Sequence, residues 1–220
     1  ENGQIDAAAK YEMQKQRSIT YEACSSSSCL VELDEEPPHK INKEALKTAI
    51  QVAKITNANI IDEVQVMRKI VVDGSNVSGF QRTALIATNG YINTSKGKVS
   101  ILSICLEEES AKKVKSNEQE IAYRLDRLGV PLIEIATGPN LQDPEHAKEA
   151  AEIIGMILRS TGKARRGIGS IRQDVNVSMK EKNRVEVKGF QDLKNIPKVI
   201  EYEIQRQSQL LEQHKEIAKE

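Results

Sequence analysis

Five polar side chains in GIGSIRQDVNVSMKEKNRVEVKGF, residues 167–190, have types that suit metal and phosphate chemistry: Arg172, Asp174, Asn176, Glu186 and Lys188. Carboxylates are hard oxygen ligands for magnesium, and a guanidinium or ammonium neutralises phosphate. An amide such as that of Asn176 can hold a metal-bound water. Spacing groups them. Arg172, Asp174, Asn176 and Ser178 share one parity while Val175 and Val177 take the other, and Glu186 and Lys188 alternate with Val185 and Val187. That is the pattern of two strands with one apolar and one polar face. Lys180-Glu181-Lys182-Asn183 reads as a turn, so the strands are expected to pair antiparallel and bring the polar residues together. Asp and Asn are poor strand formers, which makes the face unusual. The pattern alone fits a metal- or phosphate-handling face and an ordinary wet face equally well.

Further carboxylates lie upstream. Glu107-Glu108-Glu109 ends an apolar stretch, and by itself the triplet reads as a solvated strand end at least as well as a magnesium site. Glu134 interrupts Val-Pro-Leu-Ile-Glu-Ile-Ala-Thr and needs either a cation or a position on a strand edge, because desolvating it unpaired is costly. Basic clusters at Arg68-Lys69, Lys112-Lys113-Lys115 and Lys163-Arg165-Arg166 read more readily as solvated loops than as phosphate contacts. Gly162-Lys163 is no phosphate loop, since the spacing fails and Ala164 follows the lysine. Cys24 and Cys29 flank four serines, and two thiolates do not complete a zinc site.

The elements expected to carry these residues are mainly strands. Residues 1–20 lack a period and are expected to be poorly ordered. A helix is predicted from Lys43 to Thr56, strands over 63–72, 83–88 and 98–108, and a two-residue hairpin turn at Asn89-Gly90. The charged stretch 111–119 reads as a mobile loop, followed by an extended segment from Tyr123 to Thr137, broken near Gly129 and Pro131. Asp143-Pro144 opens a second helix that Gly162 stops, with His146 in its first turn as a surface residue. A third helix starts near Pro197 and runs to the end. The fold class is α+β: a largely antiparallel sheet covered by a few helices.

Composition excludes some classes. Thirty-two basic and 32 acidic residues cancel, so no global field draws in nucleic acid, and aromatic residues for base stacking are few. No apolar run approaches a membrane span, and three unevenly spaced cysteines argue against a secreted disulfide framework. The chain is read as cytoplasmic.

Residues 169–178, Val185-Glu186-Val187-Lys188 and Ile200–Gln207 resemble the signature of the B/E subunits of glutamyl-tRNA(Gln) amidotransferase. Cys29–His39, Asp73–Thr83, Cys105–Glu109 and Tyr123–Thr137 are more similar to the archaeal E form than to the bacterial B form. The resemblance covers roughly residues 20–210. It implies a cradle-shaped catalytic domain, here partial over 21–200, with 201–220 a connector helix to a further domain. The family's opening Gly-Leu-Glu-Ile/Val-His strand, which contributes to its metal site, has no counterpart before Tyr21. The isolated chain is therefore expected to be an inactive internal fragment.

The implied reaction phosphorylates the γ-carboxylate of glutamate on misacylated tRNA(Gln) with ATP, then amidates it. The resemblance makes Glu108, Glu134, Asp174 and Glu186 the magnesium ligands and Arg172, Lys188 and Asn176 the catalytic residues. ATP is placed at Arg68, Lys69, Ser78 and Arg82, around the Asp73–Thr83 motif. Zinc at Cys29 would need residues from outside this chain. An asparaginase-like D subunit would supply ammonia, from glutamine or asparagine, within a heterotetramer. A non-catalytic RNA-binding or scaffold module is the alternative.

Overall fold

Alternating strands and sharply punctuated helices give an α+β fold whose sheets are largely antiparallel. The computed structural model describes residues 5–167, 169–179, 184–190 and 192–217. The chain forms two compact units, one from the residues up to Ile50 with Asn59–Thr88 and Ser103–Ile135, the other from Gln51–Ala58, Asn89–Leu102 and Ala136 onward.

In the first unit, helix α1 (Ala7–Gln14) is capped by the Asp6 carboxylate, which accepts from the N–H groups of Ala8 and Ala9. Strand β1 (Ser18–Glu22) pairs parallel with β7 (Glu120–Arg124), and β6 (Lys112–Ser116) pairs antiparallel on the other side of β7. Two expectations change here: residues 1–20 contain a helix and most of a strand, and 111–119 contains a strand instead of a mobile loop. All five residues of β6 are exposed, so its polar run shows no alternation, and backbone pairing with β7 holds it. The stacked Tyr21 and Tyr123 rings, 6.2 Å apart, anchor the small sheet. Burial, helped by the Asp73 charge, pushes the Tyr123 phenol up to about 12.

The larger sheet has the order β2 (Asn59–Ile60), β4 (Phe80–Thr94), β5 (Gly97–Glu108), β8 (Pro131–Thr137), with β3 (Val66–Ile70) also on β4. Helix α2 (Lys43–Ile55) lies close to the predicted span. Ala45, Leu46 and Ala49 from this helix join Ala84, Ile86, Leu106 and Ile133 in one cluster of the first unit. Alanines on both sides permit close helix-to-sheet approach.

Asn89-Gly90 makes no hairpin. β4 runs through it, and the turn falls at Ser95-Lys96. Asn89 takes φ 57°, and Gly90 is required by crowding: a Cβ there would sit 2.8 Å from both Ala58 Cβ and Thr56 O. The Tyr91 N–H donates to Thr56 O at 2.8 Å, and local turn propensity yields to that tertiary contact.

In the second unit, helix α3 (Pro144–Ser160) starts as predicted, with the Asp143 carboxylate accepting the His146 N–H at 3.0 Å. β9 (Gln173–Val177) and β10 (Val185–Phe190) form an antiparallel hairpin. Its predicted connecting turn, residues 180–183, lies outside the described residues. Helix α4 (Ile196–Ile217) follows and contributes Ile196 and Ile200 to a core with Val177, Phe190 and Ala151.

His146 is the clearest departure from expectation. It is 1% exposed instead of lying on the surface. Nδ1 accepts the Gln142 N–H at 3.1 Å, which leaves Nε2 to donate to Thr94 Oγ1, 2.8 Å away. Thr94 in turn donates to Gly97 O at 2.6 Å. The start of α3 thus clasps the β4–β5 turn, aided by Glu149 on Ser95 and Lys96 on Asp143.

Candidate functional site

The β9–β10 hairpin displays the predicted polar face. Register pairs Asn176 with Glu186 and Val175 with Val187. Asp174, Asn176, Glu186 and Lys188 are all exposed, whereas Val177 and Phe190 are buried in the second unit's core with Val175 and Val187 packed against it. Lys188 Nζ lies 3.2 Å from Glu186 Oε2. Arg172, also exposed, immediately precedes β9.

Asp174 has a structural partner as well. Its Oδ1 accepts the Gly189 N–H at 2.9 Å, at the point where the ladder slips between Val187 and Phe190. Gly189 adopts φ 80°, a conformation that favours glycine. The Lys188-Gly189 pair carries the only sequence hint of this bulge. Beside Lys188 lies an open groove of about 410 Å³, whose lining includes Phe190, Asn195, Lys198 and Tyr202. Lys198 and Tyr202 lie one helical turn apart on α4; Tyr202 falls within the Ile200–Gln207 signature stretch, whereas no motif in the sequence singles out Lys198.

In the first unit each member of the glutamate triplet faces a cation. Glu107, 5% exposed, accepts from Thr83 Oγ1 at 3.0 Å and lies 3.7 Å from Lys69 Nζ. Glu108 receives Arg82 through Nε at 2.9 Å and also through a terminal nitrogen, a two-point grip. Glu109 lies 3.0 Å from Arg127. The triplet is therefore more than a solvated strand end. Glu134 is exposed on β8, the edge strand of the larger sheet, which meets the strand-edge condition. Burial, with the charges of Glu134 and Glu107, pushes the nearby Cys105 thiol up.

The residues expected to hold ATP all lie in this unit. Arg68 sits over the Phe80 ring, 4.6 Å from its centroid, and Ser78 Oγ donates to Phe80 O at 3.2 Å. Lys69 and Arg82 engage Glu107 and Glu108 as described, and Arg82 also donates to His39 O. Cys24 and Cys29 are both exposed. The Cys24 thiol is held below the usual range by its hydrogen bond with Ser26.

The proposed magnesium ligands divide as Glu108 and Glu134 in the first unit and Asp174 and Glu186 in the second. Magnesium is commonly held by one or two carboxylates completed by phosphate oxygens and water, and each pair meets that requirement by type. Among the described residues no three His, Cys, Asp or Glu side chains gather as a ready-made metal cage. No helix among them is long and apolar enough to cross a membrane.

Comparison with known proteins places the chain in a family of catalytic domains. The GatB/GatE catalytic domain family matches residues 3–220, and the chain belongs to it. It is 54% identical to the E subunit of glutamyl-tRNA(Gln) amidotransferase from Methanocaldococcus jannaschii, over 96% of this chain and 34% of that protein. The E subunits of Archaeoglobus fulgidus, 52% identical over 99% of this chain, and Thermoplasma volcanium, 55% identical over 96%, are similar in the same way. The chain spans about a third of the length of these relatives.

Proposed function

We propose that this chain is catalytic-domain sequence of a subunit that converts glutamate on misacylated tRNA(Gln) into glutamine. The observation that carries the reading is the joint display of Asp174, Asn176, Glu186 and Lys188 on one exposed hairpin face, in a chain matched throughout by relatives of the E type. In the proposed reaction the γ-carboxylate oxygen attacks the γ-phosphorus of ATP and ADP leaves. Ammonia then attacks the acyl carbon, phosphate departs, and the nitrogen loses a proton.

Phosphoryl transfer demands positioning and charge neutralisation more than covalent catalysis. Lys188 and Arg172 supply cations toward phosphate or the substrate carboxylate, and Asn176 can orient a water or a polar substrate atom. Glu186 holds the Lys188 ammonium on the exposed face. Magnesium would be held by Glu108 and Glu134 or by Asp174 and Glu186, and it would supply neutralisation of the triphosphate. Arg68, Lys69, Ser78 and Arg82 are proposed for the nucleotide. The ammonia source is proposed to be an asparaginase-like partner subunit using glutamine or asparagine, in a cytoplasmic heterotetramer. Zinc at Cys29 would require further ligands beyond this chain.

The test is amidation by the full-length subunit with ATP, magnesium, an ammonium salt and glutamylated tRNA(Gln), and the same assay with Asp174→Asn. Asparagine keeps an oxygen to accept the Gly189 N–H, so the bulge survives while the charge is lost. Phosphorylation of the γ-carboxylate should collapse. Near-normal amidation by the variant would show that the hairpin face is not the reaction site.

A further inference from the structure

We propose that the basic segment from Arg159 to Arg172 is a docking surface for the phosphate backbone of RNA, an inference that rests on the proposed tRNA substrate. Residues 153–173 contain Arg159, Lys163, Arg165, Arg166 and Arg172 and no Asp or Glu, in a chain with 32 acidic residues against 32 basic ones. All five cations are exposed.

Lys69, Arg82, Lys96, Lys115, Arg127 and Arg206 each lie against a carboxylate. Among the described residues, Arg159, Lys163, Arg165 and Arg166 have no such partner. Like charges crowded on one segment repel one another and hold counterions near them. A polyanion that displaces those counterions gains affinity from their release.

The spacing and the residue types favour a linear polyanion. The cations follow a chain that leaves α3 through a turn at Gly162, φ 68°, where Thr161 Oγ1 accepts the Lys163 N–H at 3.2 Å. They are spread along the sequence of the segment, as suits contact with successive phosphates of a linear polyanion. Four of the five are arginines, whose planar fork matches phosphate oxygens. Residues 153–173 also lack any aromatic side chain for base stacking, so the contact is with backbone and independent of sequence.

The experiment uses the full-length subunit in its assembled enzyme, with Lys163→Gln, Arg165→Gln and Arg166→Gln combined and Arg172 left intact. Binding of glutamylated tRNA(Gln) and of an unrelated RNA of similar length is measured across a potassium chloride series. Affinity for both RNAs should fall about tenfold or more at moderate salt, with the log–log salt slope shallower by about 1 for each phosphate the variant no longer neutralises. KM for the tRNA should rise while kcat, KM for ATP and the unfolding midpoint stay unchanged.

Unchanged RNA affinity and slope would overturn the proposal, as would a raised KM for ATP with RNA binding intact. A wild-type enzyme that binds RNA through this segment but does not amidate would sink the proposed reaction and leave the docking surface standing. Amidation with RNA binding indifferent to the triple substitution would sink the docking surface alone.

Discussion

Arg82 grips Glu108 through two guanidinium nitrogens, so a residue proposed for nucleotide phosphate and one proposed for magnesium are tied to each other. The pair is only partly exposed, at 18% and 28%. Breaking it leaves a carboxylate in a half-desolvated place without its strongest donor. Arg82→Met should destabilise the protein by about 1–2 kcal/mol, tempered by remaining solvent access. Glu108→Gln should cost less, because an amide oxygen still accepts from Arg82. Urea unfolding of both variants checks this. Equal, negligible losses would mean that the grip adds nothing to stability.

His146 bonds through both ring nitrogens: Nε2 joins α3 to Thr94 at the end of β4, and Nδ1 accepts the Gln142 N–H just ahead of the helix. His146→Ala removes the ring from a site 1% exposed and leaves the Gln142 N–H and the Thr94 hydroxyl without it, so about 2–4 kcal/mol of stability should be lost. Thr94→Val cuts the bonds to His146 and to Gly97 O but keeps the side chain's volume and leaves no cavity, so it should cost less. Chemical denaturation of the two variants gives the comparison. A change within about 0.5 kcal/mol for His146→Ala is the signature of a surface residue and would contradict the burial.

These two pairs also mark what could be read in the sequence. The Val-x-Val alternation on β9 and β10 and the Asp143-Pro144 start of α3 are local signals, and both elements form where those signals lie. His146 depends on Thr94, 52 residues away, and no spacing rule reaches that far. Asn89-Gly90 carries a strong local signal that loses to a contact with Thr56 and Ala58. Helix α1 buries no side chain, so it lacks a hydrophobic period, although Asp6 ahead of three alanines is a usable cap signal. At the site, residue types point to the hairpin face, but the arginine grip on Glu108 and the bulge pinned by Asp174 arise from strand pairing.

Gly90 and Gly155 should respond oppositely to alanine. At Gly90 the new methyl would meet Ala58 Cβ and Thr56 O at 2.8 Å, one of them backbone that does not yield easily. Gly90→Ala should therefore cost about 1–3 kcal/mol through forced shifts. Gly155 lies within α3 with nothing within 4 Å of such a methyl, so Gly155→Ala should gain about 0.5–1 kcal/mol from helix propensity and reduced freedom of the unfolded chain. Thermal unfolding of the two variants should give midpoints on opposite sides of wild type. Parallel shifts would contradict the crowding at Gly90.

Glu203 links α4 to acid stability. Hydrogen bonds from Arg206 and Gln207 hold its carboxyl at about 2, below the ordinary glutamate range. A depressed folded-state value means that the unfolded chain binds its proton more readily. The stabilisation is complete above about pH 5 and is lost as pH falls from the ordinary glutamate value, about 4.3, toward 2. Glu203→Gln should flatten this part of the acid-unfolding curve, followed by helical circular dichroism. An unaltered curve would assign the acid sensitivity to other carboxylates.

Lys188 decides whether the hairpin face performs chemistry or is merely wet. Its side chain is 71% exposed and its partner Glu186 42%, so their 3.2 Å pairing should contribute little to folding. Lys188→Met keeps most of the stem's volume and removes the charge. Stability should change by under about 1 kcal/mol, as for most surface substitutions. If the ammonium meets a transferring phosphoryl group, γ-carboxylate activation by the full-length subunit should slow about 10²-fold or more, as when one preorganised stabiliser is removed. The two quantities separate the roles. A large stability loss with activity per folded molecule preserved would make Lys188 structural and remove the strongest reason for placing the reaction on β9 and β10.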